Sequence, residues 1–236
     1  ISGFANSAIW LIVGAFLFSR GFIKTGLGKR IAYNLIAAFG SSSLRLAYAL
    51  ALSDLILAPA TPSNTARVGG VIMPITTSLA KAFGSEPQDG ARKIGSFLMQ
   101  SIYQVNTITS AMFQTSMAGN TLVAALALES FGIGITWGNW AMAAIVPGII
   151  ALIVMPYFIY KVYPPEIKDA REAQQMIREE LKDLGKMSFQ EWVMLGVFVL
   201  ALVLWATSQF TKIDATTVAF LGISILLATS VLVWDD

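Results

Sequence analysis

The stretch "LILAPATPSNTARVGG", residues 55–70, puts two prolines, four hydroxyl or amide side chains and an arginine inside one of the most apolar regions of the chain. Each proline lacks a backbone N–H, and its ring clashes with the preceding helical turn, so a helix entering this stretch stops there. Directly afterwards come Ser63, Asn64 and Thr65, of the types that open helices by accepting hydrogen bonds from first-turn N–H groups. The stretch reads as helix, break, helix.

The chain around it has the composition of a membrane protein. Of 236 residues, 56% are apolar and 13% are charged, with a mean hydropathy of +0.67, whereas soluble domains carry roughly 25% charge. Uncharged runs at 1–19, 94–128, 130–160, 192–211 and 215–234 reach or approach the ~20 residues that span hydrocarbon. The chain starts inside one apolar run and stops just after another, so it reads as a fragment. It has no cysteine and no histidine, which removes thiol nucleophiles, disulfides, Ser-His-Asp triads and the usual zinc ligands. An intramembrane enzyme needs a catalytic pair at depth, and none is present. Asp54 has no second aspartate near it, Ser63 has no histidine, and no lysine lies at membrane depth. No Walker motif or EF-hand loop occurs. The expectation is a protein that is not an enzyme, carries no cofactor other than a possible coupling Na+, and does not bind nucleic acid.

Charge sets the topology. Positive residues cluster at Arg20, Lys24, Lys29 and Arg30, at Lys81, Arg92 and Lys93, and at six lysines and arginines between Lys161 and Lys186. The positive-inside rule makes all three clusters cytoplasmic. Residues 129–140 carry no lysine or arginine and contain Trp137 and Trp140, which suits an outer interface with its aromatic belt. Between Arg45 and Lys81 the chain therefore starts and ends on one side. Its 35 intervening residues make roughly 52 Å of helix, too long for one crossing of a ~30 Å core and too short for two with a turn. A re-entrant hairpin of two half-helices resolves this, with "PATPSN" at its tip. Residues 94–128 cross once but are again too long. Their middle, "NTITSAMFQTSMAGNT", is dense in hydroxyls and amides, which predicts one span broken near Thr109 to Asn120. Irregular backbone at that depth is tolerated where it lines a cavity or is buried in protein. Residues 31–44 are too few to span and are expected along the cytoplasmic interface. Residues 138–160 cross inward, 161–190 form a polar linker helix, and two helices follow at 192–211 and 215–234.

Ending helices inside hydrocarbon leaves free N–H and C=O groups. A half-helix N-terminus carries roughly half a positive charge and suits an anion, whereas free carbonyls and hydroxyls suit a desolvated cation. Ser63, Asn64 and Thr65 stand beside such a positive end, and capping alone is compatible with the same role. Asp54 and Arg67 lie equally far from the centre of the hairpin and face each other on its two arms. They form either a neutralised pair or, if Arg67 turns to the cavity, an attractor for an anion or a stand-in for a coupling cation. Gly69, Gly70 and Gly119 suit close helix approach or chain reversal.

"TPSNTARVGGVIMP" resembles the Ser-Asn-Thr motif of the divalent anion:sodium symporter family, in the Pro-Ser-Asn-Thr-Ala-Arg form of its citrate/succinate antiporter and plastid 2-oxoglutarate/malate translocator branch. "SAMFQTSMAGN" resembles the second signature of that branch. The resemblance covers the whole chain and implies an all-α, polytopic, partial elevator-type inverted-repeat transporter that works as a homodimer in a bacterial inner membrane or plastid inner envelope. It implies scaffold and interfacial helices at 1–45, a transport-domain hairpin at 46–81 and transport-domain helices at 92–160. A cytoplasmic linker would occupy 161–190 and further scaffold helices 191–236. The substrate would be a di- or tricarboxylate such as malate, succinate, 2-oxoglutarate or citrate, with sulfate as the alternative. Ser63, Asn64 and Thr65 would contact a carboxylate, with Thr115 and Asn120 as further contacts. A sodium ion would lie among Thr61, Ser63, Asn64, Ala118 and Gly119. Sodium-coupled relatives place a further serine upstream of the motif, but here the stretch is "PATP" and Thr61 is the only nearby hydroxyl, so sodium-independent exchange is also compatible. A second Ser-Asn-Thr hairpin is needed to complete the site and does not occur in these residues, so this stretch alone is not expected to transport.

Overall fold

A computed structural model describes residues 7–235. Residues 1–6, which open the first expected span, and Asp236, which closes the last expected domain, lie outside that range. All regular elements among the described residues are helical: α1 (Ser7–Thr25), α2 (Leu27–Phe39), α3 (Ser43–Leu57), α4 (Asn64–Arg67), α5 (Met73–Ala82), α6 (Gly95–Met112), α7 (Ala118–Phe131), α8 (Trp137–Val162), α9 (Arg171–Asp183), α10 (Phe189–Ala206), α11 (Ser208–Thr211) and α12 (Ala215–Ala228). Four stretches are long and apolar enough to cross a membrane: Ser7–Thr25, Ser43–Ala60, Trp137–Val162 and Phe189–Ala206. Ala215–Ala228 is apolar but shorter.

One packing unit joins α1, α10 and α12. Apolar and small residues recur every third or fourth position along α1, so Leu11, Ala15, Phe18 and Phe22 share a buried face. Phe18 lies 6.5 Å from Trp205 and Phe22 lies edge-on to Phe198 at 5.1 Å. Such packing, rather than hydrophobic burial, holds helices together in lipid. It needs Gly222, where a Cβ would come within 2.9 Å of the Phe18 ring.

The polar end of the molecule is a layered cap. Gly26, at φ 75°, turns the chain out of α1, and the 13 residues of α2 make about 20 Å of helix, too short to cross. The expected interfacial stretch 31–44 is shifted. Its helix begins at Leu27 and stops at Phe39, because Ser42 already caps α3 by accepting from Arg45 N. The linker helix α9 is not wholly solvated. It buries Ala173, Gln174 and Ile177, and Gln174 and Arg178 both donate to the Ala37 carbonyl of α2. Burial, followed by the hydrogen bond to Glu180, pushes the Tyr33 hydroxyl well above the usual phenol range. Arg30 donates to both Glu191 oxygens, at 2.5 and 3.2 Å, and to the carbonyls of Gly185 and Leu184. It thereby pins the turn between α9 and α10.

An extended segment between α8 and α9 clasps two loops at once. Glu166 N and Ile167 N donate to Arg92 O and Lys93 O, while Ser43 N donates to Lys168 O and Ala170 N to Ser41 O. The start of α3 and the loop after α5 therefore lie at the same end of the molecule.

Trp137 departs from the sequence reading. It is buried rather than anchored in an aromatic belt, stacked between Phe113 at 5.6 Å and Trp205 at 6.1 Å. Its indole N–H donates to Thr115 Oγ1, so it packs the interior. Trp140 is half-buried and donates to Ala111 O.

Candidate functional site

The first break follows from local chemistry. Helix α3 ends at Leu57 and tightens into a 3₁₀ turn over Ala58–Ala60 that contains Pro59. Thr61 then extends, at φ −128° and ψ 99°, as a residue before proline must. Its hydroxyl returns to the orphan carbonyl of Leu57 at 2.8 Å. Ser63 is the N-cap of α4 and accepts from Ala66 N at 3.1 Å. A π turn over Val68–Ile72 joins α4 to α5. Gly69 and Gly70 lie in that turn. A Cβ on Gly69 would meet nothing within 4 Å, whereas one on Gly70 would come within 3.3 Å of Ile23 on α1, so of the two only Gly70 serves a close helix approach.

The second break spans Phe113–Met117, between α6 and α7, with a 3₁₀ turn at Gln114–Ser116. The two breaks are bonded to each other. Ala118 N donates to Pro62 O at 2.9 Å, and Thr115 Oγ1 donates to Pro59 O at 2.5 Å. Both proline carbonyls are free to accept because no helical turn continues past them.

Arg67 ties this assembly together. It is 1% exposed, and its Nε donates to Asp54 Oδ1 at 2.8 Å. Nη1 donates to the carbonyls of Thr61 (3.1 Å) and Ser116 (3.3 Å), and Nη2 to the hydroxyls of Thr109 and Ser110, both at 3.1 Å. All five guanidinium N–H groups are thereby used. The other Asp54 oxygen accepts from Thr109 Oγ1 and, at 3.5 Å, from Asn106. Of the two arrangements open to Asp54 and Arg67, the ion pair is the one present.

The named site residues fall into two groups. Ser63 and Asn64 are half-buried and Thr65 is exposed, beside the half-buried Met117, Ala118 and Gly119 at the start of α7. The bond between Pro62 and Ala118 brings these two helix N-termini side by side, where aligned peptide dipoles favour an anion. Asn64 Oδ1 accepts from Thr65 N at 2.8 Å, and its NH₂ has no hydrogen-bond partner among the described residues. Thr61, Thr115 and Asn120 lie beneath. Thr61 and Thr115 are bonded as above, and Asn120 Nδ2 donates to the carbonyls of Ser110 and Phe113. Sequence reasoning did not single out Ser110, Ser116 or the carbonyls of Pro59 and Pro62. The only signal for the carbonyls is that two prolines within four residues free them from helical bonding.

Interrupted helices that meet at polar tips, in a chain of long apolar helices, define an integral, multi-pass membrane protein. Over residues 1–236 the chain matches the family described as the sodium:sulfate symporter transmembrane region, and it belongs to that family. This is the family to which the Pro-Ser-Asn-Thr-Ala-Arg stretch pointed. Across its whole length it is 54% identical to the "putative malate transporter YflS" of Bacillus subtilis and covers 50% of that protein. It is 47% identical to the "dicarboxylate transporter 1, chloroplastic" of Spinacia oleracea, covering 42%. To the "citrate/succinate antiporter" of Escherichia coli it is 38% identical and covers 48%. The chain thus spans about half the length of the curated relatives it matches.

Proposed function

We propose that the full-length protein containing this chain is a secondary active transporter of di- or tricarboxylates, and that Ser63, Asn64, Thr65 and the start of α7 hold one substrate carboxylate. The observation that carries this reading is the pairing of two helix N-termini at bonded breaks. Neutral donors and dipoles bind an anion there without a fixed cation that would resist its release. The names of the relatives support a carboxylate of four to six carbons. The family description favours one second reading, a sulfate carrier using the same tips.

The clasp supports a re-entrant hairpin over 46–81, because the chain just before it (Ser41, Ser43) and the loop after it (Arg92, Lys93) are bonded to one extended segment, while Pro59 and Pro62 turn the chain between them. In this reading the hairpin and the broken helix move as one transport domain against a scaffold of α1, α10 and α12, as an elevator within a homodimer. Exchange without sodium is favoured over symport, since the Thr61 carbonyl and hydroxyl both face Arg67 Nη1, which would repel a sodium ion placed there.

Uptake of labelled succinate, citrate and sulfate into vesicles, with and without sodium and internal carboxylate, tests substrate and coupling. Carboxylate uptake that requires internal carboxylate and ignores sodium is expected, and uptake of none of the three rules out a carrier. Cysteines replacing Lys29 and Gln88 should label from one face and a cysteine replacing Ser130 from the other. Opposite labelling of the first two would exclude the hairpin.

A further inference from the structure

Between the starts of α1, α8 and α12 and one face of α7 lies a cavity of about 420 Å³. Helix α8 runs from this cavity to the clasp, about 39 Å away at its length of 26 residues, so the cavity opens at the end opposite the basic loops. Its size falls in the ~300–1,000 Å³ range of small-molecule sites and is many times the ~30 Å³ share of one water.

One polar side chain from the second break reaches it unpaired. Gln114, on the turn of that break, is 8% exposed, and its amide faces the cavity with no hydrogen-bond partner among the described residues. An amide so placed has its donors and acceptor open to a polar occupant. Asp214 lines the cavity, but its carboxylate accepts from Thr216 N, Thr217 N and Thr217 Oγ1 at the first turn of α12. Burial alone would raise that carboxyl, yet these bonds hold it below the usual carboxylate range. Lys212 also lines the cavity and makes no ion pair among the described residues. Its backbone is held at φ 59°, where few residues other than glycine sit. The N-terminus of α8 at Thr136 adds further positive potential to the wall.

We infer that this cavity is a second anion site, an outer waiting position in which the Gln114 amide and the Lys212 ammonium donate to a carboxylate before it reaches the tips. The inference rests on the carrier reading. The floor of the cavity is the back of the tip assembly, because Gln114 immediately precedes Thr115 and Ser116, which bond Pro59 and Arg67.

The test uses the full-length protein in vesicles, cleared of other cysteines, with Ile135→Cys in the cavity wall as the target of a membrane-impermeant maleimide and succinate as the ligand. In an Asn64→Ala background, where the tip lacks a donor, succinate should still slow labelling about fivefold, the scale of one hydrogen bond. Adding Gln114→Leu or Lys212→Gln should abolish that protection, and Lys212→Arg should retain it. Gln114→Leu keeps volume and breaks no bond within the protein, so its folding is expected to be unchanged. Absence of protection, protection lost with Asn64→Ala alone, or protection that survives both cavity substitutions overturns the inference. Succinate uptake by the unsubstituted protein is read in parallel: protection without uptake removes the carrier reading and leaves the site standing as a binding site.

Discussion

Two buried ion pairs use the same chemistry in different places. Arg67–Asp54 joins the two breaks, with side-chain exposures of 0% and 2%, and the arginine spends its other donors on two carbonyls and two hydroxyls of the same assembly. Arg30–Glu191 joins α2 to α10 at the polar end, with exposures of 10% and 7%. There the carboxylate keeps a second, backbone partner in Ser188 N. A buried pair contributes little net stability against an apolar replacement, but removing one partner is strongly destabilising. What separates the two is the work done by their remaining hydrogen bonds. Arg67 fixes the shape of the two breaks, and Arg30 fixes the position of a layer.

Arg67→Met should show the largest effect. It leaves Asp54 buried and unpaired, at a cost of about 3–5 kcal/mol, read as a fall in the melting temperature of the detergent-solubilised protein, and uptake should cease. Adding Asp54→Leu should restore most of the stability but no uptake, because the bonds to both breaks remain lost. Recovery of uptake in the double variant would show that the pair is dispensable for tip shape. Arg30→Met should cost less, about 3 kcal/mol, since Glu191 lies nearer to water than Asp54. Its substrate KM should stay unchanged while kcat falls, and a shifted KM would erase the distinction between the two pairs. Ser63→Ala should remove about 1 kcal/mol as a lost cap and raise KM roughly tenfold through a lost carboxylate donor, so a stability change without a KM change would reduce Ser63 to capping. Trp137→Phe keeps the aromatic stack and loses the bond to Thr115, so a change of about 0.5–1.5 kcal/mol is expected in thermal unfolding.

The break was legible because it is written locally. Two prolines, a serine cap and opposed charges act within fourteen residues, and their effects follow from backbone chemistry. Helix α2 was shifted by a few residues because Gly26 and Ser42 set its limits more sharply than composition suggests. Trp137 was misread for a different reason. Its neighbours Phe113 and Trp205 are remote in sequence, and nothing near residue 137 announces that two rings will cover it. Gln114 was equally silent, since only the tertiary arrangement separates an unpaired buried amide from a bonded one.

The bonds between the two breaks also impose an order of assembly. Asp54 and Arg67 are 13 residues apart and can neutralise each other as soon as both have left the ribosome. Thr109, 42 residues beyond Arg67, and Thr115, 56 residues beyond Pro59, arrive much later. Until then the proline carbonyls and three of the five guanidinium N–H groups must be held by water, by lipid headgroups or by the insertion machinery. The nascent tip therefore stays pliable at the membrane until α6 and α7 have been synthesised, and it sets only when the second break docks.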